Sequence, residues 1–209
     1  MSPSRRADAL ARYDRAYFDK FYRHPRHRVH TAASIARKVR LAVALAEFVL
    51  ERPVRRVLDI GAGEGAWQPH LTRLRPGVRY LGIEPSEWAV RRWGARRNLV
   101  RGTIEELDTL GLDGPYDLII AADVLYYLPT PVLRRGLAAI AGLLGGVAWL
   151  EGYTTGDDVE GDLEGWHPRS PAAWRRLFRT AGLEAFGPQA WLRADRACGL
   201  AELERPAPR

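Results

Sequence analysis

A short apolar strand that runs directly into a glycine-rich turn constrains this chain more than any other stretch. Residues Val57 to Gly65 read Val-Leu-Asp-Ile-Gly-Ala-Gly-Glu-Gly. Val57, Leu58 and Ile60 are typical of a buried parallel strand, and the glycines allow a sharp turn with no Cβ in the way. A helix predicted from about Gly65 to Arg75 would direct its N-terminal amides at the same point, which favours an anionic or strongly polar ligand there.

Two carboxylates beside this turn make the predicted site more specific than the glycines alone. Asp59 lies inside the strand, two residues before Gly61, where a dinucleotide-binding strand normally carries an apolar residue. A buried carboxylate needs partners, and the turn amides or a cationic ligand are the candidates. Glu84 closes the next apolar run, at about the distance at which an acidic residue binds ribose hydroxyls. The pattern therefore predicts neighbouring strands that end in a glycine turn and a carboxylate.

The chain after about residue 30 resembles the class I S-adenosylmethionine-dependent methyltransferases. Asp59 to Gly65 is similar to the family's first motif, and Glu84 is similar to its ribose-binding acid. Residues 102–107 resemble its adenine-contacting turn, and residues 117–128 resemble the fourth strand and following turn of members that act on small molecules. Thr103 stands where the family commonly has an Asp that accepts a hydrogen bond from the adenine amino group, and its hydroxyl is a weaker acceptor.

The resemblance implies an α/β fold with S-adenosyl-L-methionine as cofactor and no metal. We expect a doubly wound, mostly parallel seven-stranded sheet with a C-terminal antiparallel hairpin and an N-terminal helical segment. Residues 1–50 would form that segment, a candidate cofactor lid, and residues 51–209 the Rossmann-like methyltransferase domain. The implied cofactor-binding residues are Asp59, Gly61, Ala62, Gly63, Glu84, Pro85, Thr103, Ile104, Ala122 and Asp123.

Strands and helices alternate along the chain in the order typical of a parallel sheet covered on both faces. An N-terminal helix is predicted from Thr31 or Ser34 to about Leu50. The predicted strands span residues 56–60, 79–84, 98–101, 116–122 and 146–151, followed by a hairpin of strands at about 183–192 and 196–204. The predicted helices span residues 65–75, 86–95, 130–144 and 171–181.

Candidate catalytic residues are Asp123, Tyr126 and His167. Methyl transfer from a sulfonium is an in-line displacement at carbon, so positioning carries much of the rate, and a general base contributes where the acceptor must lose a proton. Three roles are open for Asp123: accepting from the cofactor's amino group, orienting an acceptor amine, or capping the next turn. Tyr126 and Tyr127 are consecutive, so we expect only one of them to face the pocket. His167 has the side chain best suited to a base, although a lone histidine beside a proline is more often a surface residue.

Two segments outside the alternating pattern are predicted to cover the site. The first is an aromatic stripe with helical spacing, which favours a helix packed on the domain over a base-stacking surface. The second, residues 153–169, is polar and too long for an ordinary connection, so we predict a substrate-side lid, with a functionless insertion as the alternative. The stripe consists of Leu10, Tyr13, Tyr17, Phe18 and Phe21.

The segment that follows the stripe contains regularly spaced histidines at His24, His27 and His30. Pro25 disfavours a helix there, and no cysteine or carboxylate accompanies the histidines. We therefore predict a solvated basic loop at this point rather than a metal site.

The formal net charge of +7 arises from the N-terminal part of the chain. Residues 1–40 contain 11 Lys or Arg and three Asp, whereas the remainder contains 21 basic and 22 acidic residues. This distribution argues against specific nucleic-acid binding by the catalytic core. The chain has no apolar run of about 18 residues and no apolar signal-peptide core, so we expect a cytoplasmic protein without a membrane span. Its single cysteine, Cys198, excludes internal disulfides.

Three classes of function are compatible with these features. The preferred one is methyl transfer to an N or O atom of a small-molecule acceptor. The second is an RNA or protein methyltransferase that uses the basic N-terminal segment. The third is an NAD-binding oxidoreductase or a non-catalytic cofactor-binding protein, and Asp59 together with the predicted terminal hairpin argues against the oxidoreductase. The sequence leaves the oligomeric state open.

Overall fold

The computed structural model describes residues 12–159 and 161–197, which contain seven strands. The strands are β1 (Arg56–Ile60), β2 (Arg79–Glu84), β3 (Leu99–Arg101), β4 (Tyr116–Ala121), β5 (Leu144–Leu150), β6 (Leu183–Gly187) and β7 (Ala190–Arg193). They form a single sheet in the order β3-β2-β1-β4-β5-β7-β6. The first five strands are parallel, and β7 pairs antiparallel with both β5 and β6. The predicted mostly parallel sheet with a C-terminal antiparallel hairpin is therefore confirmed.

Along the chain, two helices precede β1 and the others lie between successive strands, as expected for a doubly wound sheet. They are α1 (Arg15–Phe18), α2 (Ala32–Leu50), α3 (Gln68–Leu74), α4 (Glu87–Arg97), α5 (Thr130–Leu143) and α6 (Pro171–Thr180). A π-helical turn, Asp19–Arg23, continues α1, and 3₁₀ turns span Ile104–Glu106 and Leu125–Tyr127. Thr31 caps α2 in a reciprocal capping box with Ser34, which selects the first of the two predicted starts.

The sheet separates two apolar layers. On one face, β1 and β4 pack against α2 through buried residues such as Val39, Ala42 and Ala46. On the other face, α5 and α6 cover the sheet with residues such as Leu137 and Phe178. Among the described residues, no helix is long and apolar enough to cross a bilayer.

The hairpin boundaries differ from the prediction. Both strands lie within residues 183–193, where a single strand was predicted. Gly187 and Gln189 have positive φ values of 138° and 58°, and Pro188 between them has no N–H for a sheet ladder, so the chain turns there. Most of the predicted second strand, residues 198–204, lies outside the described residues, as do Leu10 and Cys198.

The start of α3 also differs from the prediction. Gly61, Gly63 and Gly65 have φ values of 68°, 56° and 70°, which a right-handed helix does not contain. The helix therefore begins only at Gln68. The predicted helix start at Gly65 is therefore wrong, and the amide that reaches Glu84 belongs to Gly63 of the glycine turn.

Candidate active site

The turn after β1 contains Gly61 and Gly63, whose positive φ values of 68° and 56° favour glycine. Gly61 and Ala62 donate their N–H groups to the carbonyl of Ile83, at 2.8 and 3.1 Å, which ties the turn to β2. A Cβ on Gly61 would lie 2.3 Å from the side chain of Val124, and a Cβ on Gly63 would lie 2.3 Å from the Tyr22 hydroxyl. The turn therefore places main-chain atoms without side chains next to the space above the sheet.

Glu84 ends β2 beside this turn and is only 5% exposed. One carboxylate oxygen accepts from the N–H of Gly63 at 2.7 Å, and the other accepts from the N–H of Ser86 at 2.8 Å. Burial raises the pKa of Glu84 to about 7, although both amide hydrogen bonds oppose this shift. The two amides fix the carboxylate, and each oxygen retains a lone pair for a ligand hydroxyl.

Asp59 is buried within β1 and accepts a hydrogen bond from the Tyr80 hydroxyl at 2.7 Å. The predicted bonds from the turn amides are not formed, because one turn amide binds Glu84 instead. Burial raises the pKa of Asp59 to about 7, and the charges of Glu84 and Glu151 add to the shift. Binding of a cationic ligand or of a proton would therefore stabilise this buried carboxyl group.

Two adjoining cavities lie above the carboxyl ends of the strands. The smaller, of about 240 Å³, is lined by Glu84 and the residues predicted to contact ribose and adenine. The larger, of about 360 Å³, is lined by Asp59 and the polar residues after β4. The structure brings together all of the predicted cofactor-binding residues on these two walls: Gly63, Glu84, Pro85, Thr103 and Ile104 line the smaller cavity, Asp59, Ala62 and Ala122 line the larger, and Gly61 and Asp123 line both.

Asp123 is the centre of a polar cluster in the larger cavity. Its backbone has a φ of 58°, a left-handed conformation that few non-glycine residues adopt and that is concentrated at functional sites. Its Oδ2 contacts His30 Nε2, and its Oδ1 accepts from the hydroxyls of Tyr126 and Tyr153, each at 3.3 Å. Burial opposes ionisation of Asp123, but the interactions with His30, Lys38 and Tyr153 together outweigh it and hold the pKa below its ordinary value.

A second buried carboxylate, Glu151, follows β5 next to this cluster. Lys38 from α2 contacts its two oxygens at 2.7 and 2.9 Å, and the indole N–H of Trp149 donates to it at 2.7 Å. Burial, followed by the charge of Asp123, raises the pKa of Glu151. The ion pair between Lys38 and Glu151 connects α2 to the carboxyl end of the sheet.

The placement of the predicted catalytic residues is mixed. Asp123 and Tyr126 lie in the larger cavity, but the side chain of His167 is exposed and lines neither cavity. Only the backbone of His167 is engaged, through an N–H bond of 2.8 Å to the carbonyl of Tyr126. Two other histidines line the larger cavity instead: His70 of α3, and His30, which was predicted to lie in a solvated loop.

The expectation that only one of the consecutive tyrosines faces the site is also wrong. Tyr126 lines the larger cavity, whereas Tyr127 lines both. They lie in a 3₁₀ turn, and their ring centroids are 4.5 Å apart. The Tyr127 hydroxyl donates to the carbonyl of Asp162 at 2.6 Å, so it also holds the loop after β5.

The N-terminal segment and the loop after β5 meet over these cavities. Arg12 contacts the carboxylate of Asp162 and donates to the carbonyl of Glu164 at 3.0 Å. Phe18 is buried and stacks on Trp88 of α4, with ring centroids 5.1 Å apart. The aromatic stripe thus packs on the domain, and residues from it line both cavities.

Among residues 12–159 and 161–197, no group of three or more His, Cys, Asp or Glu is arranged to hold a metal ion. His24 and His27 stack on each other with centroids 4.7 Å apart, while His30 points to Asp123. The three regularly spaced histidines are therefore divided between two environments.

Comparison with known proteins places the chain in a family. A family model described as a methyltransferase domain matches residues 23–186. No curated protein sequence matches the chain.

Solved structures share the fold at low sequence identity. An S-adenosylmethionine-dependent methyltransferase from Archaeoglobus fulgidus has a TM-score of 0.58 at 18% identity, with 81% of this chain and 73% of that chain covered. Magnesium protoporphyrin IX methyltransferase from Synechocystis PCC 6803 with bound S-adenosylhomocysteine has a TM-score of 0.56 at 16% identity, with 86% and 90% covered. An O-methyltransferase from neocarzinostatin biosynthesis, in complex with S-adenosyl-L-homocysteine and 1,4-dihydroxy-2-naphthoic acid, has a TM-score of 0.52 at 18% identity, with 77% and 54% covered. With the family match over residues 23–186, the sheet order and the glycine turn beside Glu84, the chain belongs to the class I S-adenosylmethionine-dependent methyltransferases.

Proposed function

We propose that this domain transfers the methyl group of S-adenosyl-L-methionine to an O or N atom of a small-molecule acceptor bound in the larger cavity. The observation that carries the proposal is the covered, two-part site. The larger cavity measures about 360 Å³, within the range of small-molecule sites, and adjoins the smaller one at Gly61 and Asp123.

The residues around the smaller cavity fit the adenosine part of the cofactor. Glu84 is buried, fixed by two amides and able to accept from ribose hydroxyls. The wall formed by Ile60, Ile104 and Leu128 is apolar and suits the adenine ring. Asp59, buried with a single hydroxyl donor, suits the ammonium end of the methionine part. When bound, the cofactor supplies an electrophilic methyl group on a positively charged sulfur.

The chain's own contribution to the reaction is positioning and the exclusion of water. Tyr17 and Tyr22 lie over both cavities, and the contact of Arg12 with Asp162 holds the two covering segments together. Holding the acceptor in near-attack geometry in such a site contributes several kcal/mol to catalysis. A macromolecular acceptor would have to displace these segments, whereas a small molecule fits beneath them.

The proposal is tested with S-adenosylmethionine that carries a radiolabelled methyl group. The purified chain is incubated separately with the small-molecule, RNA and protein fractions of the source cells. We expect label in the small-molecule fraction alone. Label incorporated into RNA or protein would contradict the proposal and favour the alternative in which the basic N-terminal segment binds a macromolecule.

A Glu84→Ala variant serves as the control for cofactor dependence, because it keeps the larger cavity and removes the ribose acceptor. At a cofactor concentration below the wild-type Kd, it should reduce incorporation in every fraction. Incorporation equal to that of wild type under these conditions would show that the label enters through a contaminating enzyme.

A further inference from the structure

His30 and Asp123 form a half-buried pair that no local sequence pattern predicts. They are 93 residues apart, yet Nε2 of the imidazole contacts Oδ2 of the carboxylate, and their side chains are only 28% and 21% exposed. Both residues line the larger cavity. The hydroxyls of Tyr126 and Tyr153 hold the other oxygen of Asp123, so the carboxylate is fixed on both sides.

This arrangement determines which imidazole nitrogen carries the proton. An ionised carboxylate only accepts hydrogen bonds, so Nε2 must be the donor. In the neutral imidazole Nδ1 is then unprotonated and able to accept a proton. Among the described residues, Nδ1 has no hydrogen-bond partner, and it belongs to a side chain on the cavity wall.

Of the other titratable groups near the pair, His70 of α3 also lines the larger cavity, but no described contact joins it to Asp123 or to another carboxylate. Lys38 of α2 is engaged by Glu151 after β5. Burial raises the pKa values of the surrounding tyrosines, so that they remain neutral donors at ordinary pH. These tyrosines are Tyr22 of the N-terminal segment, Tyr126 and Tyr127 of the turn after β4, and Tyr153 of the loop after β5.

We propose that His30 is the general base of the reaction, that Asp123 positions it, and that the acceptor is a hydroxyl on an aromatic ring. This proposal rests on the proposed function. A hydroxyl must lose its proton as it attacks, which is the step that a general base accelerates. The aromatic ring is inferred from the cavity wall, where Tyr17, Phe21 and Trp67 offer faces against which a flat ring packs.

The step balances without a further reactant. The acceptor hydroxyl gives its proton to Nδ1 of His30, and its oxygen forms a bond to the transferred methyl carbon. The bond between that carbon and sulfur breaks, and its electron pair stays on sulfur, so the sulfonium becomes a neutral thioether. The positive charge ends on the imidazolium, which Asp123 stabilises. Release of that proton to water restores the base.

The first test observes the tautomer directly and needs no acceptor. Nitrogen NMR of the histidine side chains is recorded on the full chain with S-adenosylhomocysteine, at a pH about one unit above the ordinary histidine pKa. The His30 signals are identified by their loss in the His30→Gln variant. We expect the neutral tautomer with the proton on Nε2. A proton on Nδ1, or a charged imidazolium at that pH, would overturn the proposal.

The second test asks whether His30 acts as a base or only as a latch, that is, a residue whose contact with Asp123 holds the N-terminal segment in place. The glutamine of His30→Gln still donates to Asp123 but cannot take up a proton. With the acceptor found by radiolabelling, we expect kcat to fall by about 10²- to 10⁴-fold while S-adenosylhomocysteine affinity is retained. The acidic limb of the wild-type pH profile should also disappear in this variant. An unchanged kcat with weaker cofactor binding would identify a latch, and an acceptor methylated on nitrogen would contradict the hydroxyl assignment.

His27→Gln is the matched control. His27 belongs to the same segment, but it is exposed, stacks on His24 and lines neither cavity. It should retain wild-type kcat and the wild-type pH profile. A loss equal to that of His30→Gln would show that the segment, rather than the imidazole of His30, is responsible.

Discussion

Replacement of Asp59 by Asn should make the cofactor-free protein less sensitive to rising pH. Asp59 is 2% exposed, and its carboxylate receives one hydrogen bond, from Tyr80. Burial raises its pKa from 3.8 to about 7. The folded chain therefore binds more protons than the unfolded chain between these two values, so the free energy of unfolding decreases as pH rises through this window and is constant above it.

The magnitude follows from the size of the shift. About three units at about 1.4 kcal/mol each correspond to roughly 4 kcal/mol lost once the pH exceeds about 7. Between about pH 5 and about pH 8 the wild-type protein should lose about 2.5 kcal/mol relative to the Asp59→Asn variant. Glu84 titrates in the same direction and is present in both proteins, so its contribution cancels except for its interaction with the charge of Asp59.

Urea denaturation of both proteins across this pH range, without cofactor, measures the difference. The asparagine oxygen can still accept from Tyr80, so the bond at that point is preserved in the variant. Parallel stability curves for the two proteins would refute the reasoning, because they would mean that Asp59 is ionised in the folded chain at the same pH as in the unfolded chain.

Two further substitutions test the turn and the cover. Gly63→Ala should destabilise the protein by about 1–3 kcal/mol. Residue 63 has a φ of 56°, and the new Cβ would lie 2.3 Å from the Tyr22 hydroxyl. A melting temperature equal to that of wild type would contradict this prediction. Arg12→Ala removes the contact with Asp162 and should cost no more than about 1 kcal/mol of stability but accelerate hydrogen exchange in residues 153–159. Exchange unchanged from wild type would show that Arg12 does not hold the loop.

The parts of the fold that local sequence determines were predictable. Apolar residues followed by closely spaced glycines predict the strand from Arg56 to Ile60 and the turn after it, where the glycines have positive φ values. Glu84 follows at the end of the next strand, and parallel pairing of β1 with β2 brings it to the turn. The alternation of strands and helices was therefore accessible from pattern and spacing, whereas the set of cofactor-binding residues was implied by the resemblance to the methyltransferase family.

Asp123 and Tyr126 of the polar cluster were predicted, but the participation of His30 was not, because it comes from a distant part of the chain. His30 contacts Asp123 across 93 residues, and no local pattern distinguishes it from the exposed His27 of the same segment. His167 has the residue type of a base and lies in the predicted loop, but the structure turns it to solvent. A histidine's role depends on what the fold places beside it, and the sequence alone does not specify that.

Calorimetric titration with S-adenosylhomocysteine, compared with NAD, tests the assignment of the site most directly. We expect the wild-type chain to bind S-adenosylhomocysteine at one site and to give no response to NAD. Glu84→Ala should weaken that binding by roughly 1.5–3 kcal/mol, the range for hydrogen bonds to a charged group. Binding of NAD without binding of S-adenosylhomocysteine, or an affinity unchanged by Glu84→Ala, would contradict the placement of the cofactor at the glycine turn.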